Sequence, residues 1–268
     1  MFPEKKIKVG CCGFPVARQK YLEHFSTVEL NSVFYQLPKP ETVLRWREEV
    51  PAAFEFSVKA WQGITHPASS PTYERMTASL SEKQKRALGH FQGTMEVEKA
   101  WEDTARMART LQARFILFQT PASFYPNANT LRDFYRFFKK VKRDRGSRTE
   151  RDRGDFLLVW EPRGSGWENR LVKKVCQDLQ LVRGSDPLHA ESAEPVNLRE
   201  RYFGNVQYFR LHGAYEGRRI QYSHGYEDQE LKQLIKICED KTAYLFFNNA
   251  SMWQDAQKFQ ELIMRDEG

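Results

Sequence analysis

In this chain of 268 residues, polar side chains recur at the C-terminal ends of short apolar runs. They are Glu29, Asn31, Lys59, Gln119, Glu161, Arg163, Asp186, Arg210, His212, Asn248 and Asn249. Carboxylates and a histidine held near cations can have their proton affinities driven apart, which suits acid–base chemistry. Glu161 and His212 are the candidates for base and acid, with Glu29 and Asp186 as further catalytic carboxylates. Lys59, Arg163 and Arg210 would neutralise an anionic group, and arginine can grip it with two parallel hydrogen bonds. Asn31, Gln119, Asn248 and Asn249 would orient the bound molecule. Tyr35 and Trp61 offer faces on which a flat ring can stack, and His66 joins them from the loop after the third run.

The elements that must position these groups follow from the runs themselves. They are Ile7–Gly13, Thr27–Ser32, Phe54–Ala60, Phe115–Pro121, Phe156–Pro162, Leu179–Pro187, Val206–Gly213 and Ala243–Asn249. Helical patterns lie between most of them, at Ala17–Phe25, Thr42–Val50, Glu96–Gln112, Asn127–Arg143, Asn169–Asp178, Glu227–Asp240 and Ser251–Arg265. Strands that alternate with helices imply parallel βαβ units. Eight of them in one chain predict an α/β fold, a single (β/α)8 TIM barrel over residues 1–268, with its chemistry at the C-terminal strand ends. Side chains alternate along a strand, so Glu29 shares a face with Asn31, Glu161 with Arg163, and Arg210 with His212. The result is a polar ring above an apolar barrel. The rival arrangement is a closed ion-pair network with no ligand, which desolvation makes a poor source of stability.

Composition narrows the function classes. Hydrophobic content of 40% and charged content of 29% suit a globular protein, and no apolar run reaches the roughly 18 residues of a membrane span. No secretory signal is visible before the first strand, and Cys11, Cys12, Cys176 and Cys238 lack metal or CxxC spacing. Reduced thiols and a cytoplasmic location are the expectation. The net charge of +7 permits nucleic acid as a partner without requiring it. A divalent metal is the sharper alternative, because Glu29, Glu161, Asp186 and His212 are suitable ligands. The three cations in the same ring oppose it, at roughly 4 kcal/mol per unit-charge pair at 4 Å in an effective dielectric near 20. The expected cofactor is therefore none, the expected partner is a small phosphate-containing anion, no membrane contact is expected, and the oligomeric state is left open.

Two segments interrupt the alternation. Residues 61–95 form a long insertion after the third strand, with a helical piece near Ser81–His90, and a lid or substrate wall is expected there. Residues 142–155 mix six basic with four acidic side chains and read as a solvated loop. The loop Gly213–Tyr226 follows the seventh strand, a frequent phosphate position in such barrels, and offers Arg218 and Arg219. Leu188–Gly204 shows no clear helix.

Several stretches together resemble the YecE-like family, a family of unknown function (domain of unknown function 72). They are TVELNSVFYQLPKPETVLRW, FSVKAWQGITH, FQTPASF, VWEPRGSGW, YFRLHG and YLFFNN, in the family's order and across nearly the whole chain. Two positions depart from it. Cys11-Cys12-Gly13-Phe14 stands where the family usually has Thr-Ser-Gly-Trp, and the segment Gly164–Trp167 is slightly longer than usual. The resemblance implies a TIM barrel and no settled activity. A more distant similarity to endonuclease-IV-like and sugar-isomerase barrels implies nucleic acid or sugar phosphates as substrates. The leading expectation is an acid–base enzyme acting on an anionic substrate. The alternatives are a nucleic-acid-binding module, a metal-dependent phosphoesterase or nuclease, and a barrel whose pocket is vestigial.

Overall fold

Val, Phe, Leu and Tyr dominate the apolar runs, and such residues favour an extended chain buried on both faces. The computed structural model describes residues 7–266 apart from 147–155, 165, 189–205, 218 and 239–241. Its strands are β1 (Ile7–Cys11), β2 (Thr27–Leu30), β3 (Glu55–Lys59), β4 (Phe115–Gln119), β5 (Leu157–Glu161), β6 (Val182–Ser185), β7 (Val206–Leu211), β8 (Ala214–Glu216), β9 (Arg219–Gln221) and β10 (Thr242–Phe247). Its α-helices are α1 (Arg18–Leu22), α2 (Ser32–Tyr35), α3 (Pro40–Glu48), α4 (Gln62–Thr65), α5 (Glu82–Ala87), α6 (Met95–Thr110), α7 (Ala128–Gly146), α8 (Asn169–Asp178), α9 (Asp228–Ile237) and α10 (Met252–Asp266). One parallel sheet runs β1-β10-β7-β6-β5-β4-β3-β2, while β8 and β9 form a separate antiparallel hairpin. The fold is a (β/α)8 TIM barrel, nearly closed, with its seam between β1 and β2.

Tyr21 spans that seam. Its hydroxyl accepts the Cys11 backbone N–H at 2.8 Å and donates to the Thr27 carbonyl at 2.8 Å. The side chain is fully buried, so the two backbone groups have no access to water as a substitute. Gly10 lets the strands approach, since a Cβ there would lie 2.5 Å from the Thr27 carbonyl oxygen. Tyr21→Phe is expected to cost about 1–3 kcal/mol, because it strands buried polar groups without removing apolar bulk. Urea denaturation measures this, and a loss below about 0.5 kcal/mol would show that the seam holds without the hydroxyl.

Alternation divides the core into two shells. Val28, Leu30, Phe56, Val58, Phe118, Trp160, Phe209, Leu211, Leu245 and Phe247 face the helices. Phe115, Leu117, Val159, Val182, Tyr208, Tyr244 and Phe246 fill the barrel interior. Rings stack inside it edge to face, with Phe115 and Tyr244 at a centroid separation of 4.6 Å and Phe115 and Tyr208 at 5.1 Å.

Several boundaries differ from the sequence expectation. Lys39, not Thr42, precedes α3, because Pro40 fits the first helical turn where no N–H is needed. The sixth strand starts at Val182, since Leu179 still caps α8 and Gln180 turns the chain with φ 46°. The α7 helix runs to Gly146, into the segment read as a loop from residue 142, and residues 147–155 lie outside the described part. So does Leu188–Gly204 beyond its first residue.

The insertion 61–95 is tied at its base. Backbone N–H groups of Gly89, His90 and Phe91 donate to the carbonyls of Gly63, Thr65 and Ile64. Beyond that clasp lie a 3-10 turn at Pro71–Arg75 and the short α5, where Ser81 and Gln84 cap one another. The arm lies along α6 and encloses a groove of about 590 Å³ lined by Leu37, Trp61, Met76, Leu80, Leu88 and Met95. No helix among the described residues is long and apolar enough to cross a membrane.

Candidate active site

The polar ring is built on the inward positions just above the aromatic plug. Tyr208 marks the boundary: its hydroxyl meets Ser57 Oγ at 2.6 Å and donates to Glu29 Oε2 at 2.6 Å. Burial and the neighbouring Glu29 carboxylate push the Tyr208 phenol well above its ordinary value, so it is a donor, never a phenolate. Glu29 has no exposed surface. It also accepts from Cys12 Sγ at 3.1 Å and from the Arg210 guanidinium, whose Nε lies 3.1 and 3.0 Å from its two oxygens.

Arg210 is the hub. It is 1% exposed, and its Nη1 reaches across to Glu161 Oε2 at 2.7 Å. Burial opposes its charge, but Glu29 and Glu161 overcome that and hold its pKa well above the ordinary arginine value. The other oxygen of Glu161 receives Arg163 Nε at 2.9 Å and Nη2 at 2.6 Å. Burial would raise the Glu161 carboxyl; Arg163 and Arg210 together hold it well below the usual carboxylate range.

His212 sits one residue past β7, between Asp186 and the arginines. Asp186 Oδ2 accepts the His212 backbone N–H at 3.0 Å and faces its Nδ1 at 3.4 Å. On the other side, Nε2 faces Arg163 Nη2 at 2.7 Å and Arg210 Nη1 at 3.2 Å. Guanidinium groups only donate, so Nε2 presents its lone pair and the proton belongs on Nδ1. Burial and Arg163 lower the His212 pKa, with Asp186 pulling the other way. The imidazole is neutral and its tautomer is set by Asp186.

Lys59 occupies the β3 end, 8% exposed. Its Nζ donates to Gln119 Oε1 at 2.7 Å and lies 4.0 Å from the centre of the Phe34 ring. Among the described residues it has no carboxylate within 4.0 Å. Burial, with Arg210 and Arg163, lowers its pKa to about 7 against the pull of Glu29 and Glu161.

The ring therefore brings together Glu29, Lys59, Gln119, Glu161, Arg163, Asp186, Arg210 and His212. Asn31 and Asn248 meet above it, Nδ2 to Oδ1 at 3.5 Å, both half-buried. Four other expected residues are engaged with partners outside the ring. Asn249 lies next to Asn248 and so points to the opposite side, where its Nδ2 donates to the His224 carbonyl, Ser251 Oγ and Asp255 Oδ2. His66 is buried against Phe34 and bonded to Thr65 Oγ1 at 2.7 Å; burial and Lys59 lower its pKa to about 3, so it carries no charge. Tyr35 is tied to the insertion, its hydroxyl accepting from Arg75 Nη1 at 2.9 Å. Trp61 lies over Gly63, where any Cβ would meet its ring at 2.2 Å. Arg219 is exposed at the tip of the β8–β9 hairpin, opposite Glu216, and Arg218 lies outside the described residues.

Sequence reasoning missed Cys12, Phe34 and the tyrosines of the last loops. Cys12 read as a buried thiol, yet it donates to Glu29; burial and that carboxylate raise its pKa well above the ordinary value. Tyr222 lies 6.4 Å from the His212 ring, and Tyr215 lies near Arg163. Inward parity could have found Cys12; nothing local marks the others.

Among the described residues no group of three or more His, Cys, Asp and Glu side chains is arranged to hold a metal ion. The donor set does not fit one as it stands, because the Arg210 guanidinium fills the space between Glu29 and Glu161. Residues 17–267 match the family model described as "Protein of unknown function DUF72". The chain belongs to that family.

Several known proteins are similar to this chain. UPF0759 protein YunF of Bacillus subtilis is 24% identical over 91% of this chain and 84% of its own length. UPF0759 protein YecE of Escherichia coli K12 is 47% identical over 51 residues, 19% of each chain. A DUF72 protein of Enterococcus faecalis V583 shares the fold with a TM-score of 0.68 at 20% identity, over 97% of this chain and 98% of that one. Endonuclease IV of Thermus thermophilus shares it with a TM-score of 0.54 at 11% identity, over 96% and 99%. These last two likenesses concern the barrel alone.

Proposed function

We propose that this DUF72 chain is an enzyme that binds a small anion, such as a phosphate ester, at the C-terminal mouth and acts on it by proton transfer. The observation that carries this reading is the neutral His212, backed by Asp186, with its Nε2 lone pair beside Arg163. Arg163 is the most exposed of the three ring cations, its side chain 24% accessible. An anion that engages Arg163 draws the guanidinium off Nε2 and leaves the imidazole free to take a proton from the substrate. Glu161 stays ionised between the two arginines and stabilises the imidazolium that results. Asn31, Gln119 and Asn248 supply neutral polar contacts at the rim. All three cations stand inside the mouth, which favours a small ligand over a duplex that needs a flanking basic stripe.

Calorimetric titration with inorganic phosphate and a set of sugar phosphates tests this, beside a short oligonucleotide. Arg163→Ala is expected to weaken phosphate-ester binding at least tenfold, about 1.4 kcal/mol, in line with loss of a charge-assisted contact. Oligonucleotide binding that survives Arg163→Ala, with no phosphate-ester binding in the unaltered protein, would move the function to the outer surface.

A further inference from the structure

We propose that Lys59 is an amine nucleophile, forming an imine with an aldehyde or ketone carbon of a substrate held in the mouth. This rests on the mouth being a substrate site, but not on the substrate being an anion. The surroundings of Lys59 differ from those of the other two ring cations. Arg163 and Arg210 are each locked to carboxylates at 2.6–3.1 Å. Among the described residues Lys59 hydrogen-bonds only the Gln119 amide oxygen, a neutral acceptor that can take a proton donor from an amine as well as from an ammonium and gives no countercharge to hold the ammonium. Phe34 closes one side of the nitrogen with an apolar face, and two guanidinium groups stand within electrostatic reach of it. Desolvation in an apolar pocket beside cations is how a lysine amine is made nucleophilic. The lowering towards neutrality noted above agrees with that geometry.

The step balances without any further reagent. The Nζ lone pair attacks the carbonyl carbon and forms a C–N bond, while the C=O π pair moves to oxygen, which takes a proton. The carbinolamine then loses its hydroxyl as water and its nitrogen proton, leaving C=N. The sum is one amine and one carbonyl giving one imine and one water. Gln119 holds Nζ at the mouth, and the ring arginines lie where an anionic group on the same substrate would be drawn.

Reductive trapping decides the matter. The full chain at pH 7 is treated with sodium cyanoborohydride and either glyceraldehyde or glyceraldehyde 3-phosphate, and the modified peptides are mapped by mass spectrometry. Expected is an adduct on Lys59 formed at least about tenfold faster than the mean for exposed lysines, which near their ordinary values are almost wholly protonated. The rate at Lys59 should rise with pH through about 7 and then level off. Lys59→Met and Lys59→Arg should both abolish that adduct, the arginine variant keeping the charge. Label spread over exposed lysines, with Lys59 bare in folded protein, would overturn the proposal. Trapping by glyceraldehyde with no calorimetric phosphate binding would sustain Lys59 as the nucleophile while defeating the anion reading.

Discussion

Arg210→Met is expected to lower the unfolding free energy by about 3–5 kcal/mol, the usual cost of removing one partner from a buried ion pair. Arg210 bridges Glu29 and Glu161, both less than a twentieth exposed. Methionine fills part of the volume but, among the described residues, leaves Glu29 with only the Tyr208 hydroxyl and the Cys12 thiol as donors. Glu161 keeps Arg163. The pH dependence separates charge from packing. In the unaltered protein Glu161 has a depressed folded pKa, so its contribution is complete above about 4.5, the ordinary glutamate value, and fades as the pH falls through the lower folded value. Arg210 supplies part of that depression, so its removal takes away part of a contribution that fades on acidification, and the deficit should be smaller at pH 4 than at pH 8. Urea denaturation at both values measures this. The double variant Glu29→Gln, Arg210→Met should recover part of the loss, and it covers the case in which the single variant does not fold. A deficit below 1 kcal/mol, or one independent of pH, would mean the array is incidental to stability.

Lys59→Met is expected to act in the opposite direction. The fall in the Lys59 pKa from 10.5 to about 7 means that folding disfavours the charged form. Its unfolded value lies above its folded value, so the penalty is fully present below about pH 7. It is relieved as the pH rises from there towards 10.5. At 1.36 kcal/mol for each pH unit between the two values the ceiling is ~5 kcal/mol; rearrangement around a buried lysine absorbs some of it, and the bond to Gln119 is lost as well. A gain of about 2–4 kcal/mol at pH 6, shrinking below about 1 kcal/mol at pH 10, is therefore the expected result. Thermal denaturation across that range tests it. A variant less stable than the parent at every pH would show that Lys59 is held as a satisfied ammonium. Such a gain in stability should come with complete loss of imine trapping, the trade expected of a strained functional group.

The chain by itself determined the barrel and much of its polar ring. Eight apolar runs separated by helical patterns admit few other folds, because each strand must bury both faces and parallel neighbours need a crossover. Strand parity then placed Glu29, Glu161 and Arg210 on the inner wall before any contact was known, since alternation is a local property of extended chain. Parity loses its hold where the strand stops. Asn249 stands one residue from Asn248 yet belongs to a network with Ser251 and Asp255 at the start of α10. His66 and Tyr35 take their partners from neighbouring Thr65 and Phe34 and from Arg75 of the insertion, whose course depends on the backbone clasp between residues 63–65 and 89–91.

Only the tertiary structure decided which charges meet. Sequence showed three cations and three carboxylates in one ring. It could not show that Arg210 would take two of the carboxylates, that Asp186 would take His212, and that Lys59 would be left on Gln119 and the Phe34 ring. Those pairings depend on barrel stagger and on side chains that meet across sequence separations of 25 to 181 residues. Proton affinities follow from the pairings, because burial and partner charge, not residue type, set how far each group departs from its ordinary value. That is why residue types marked out the mouth, while the proton affinities within it, lowered at His212, Glu161 and Lys59, are a property of the folded barrel.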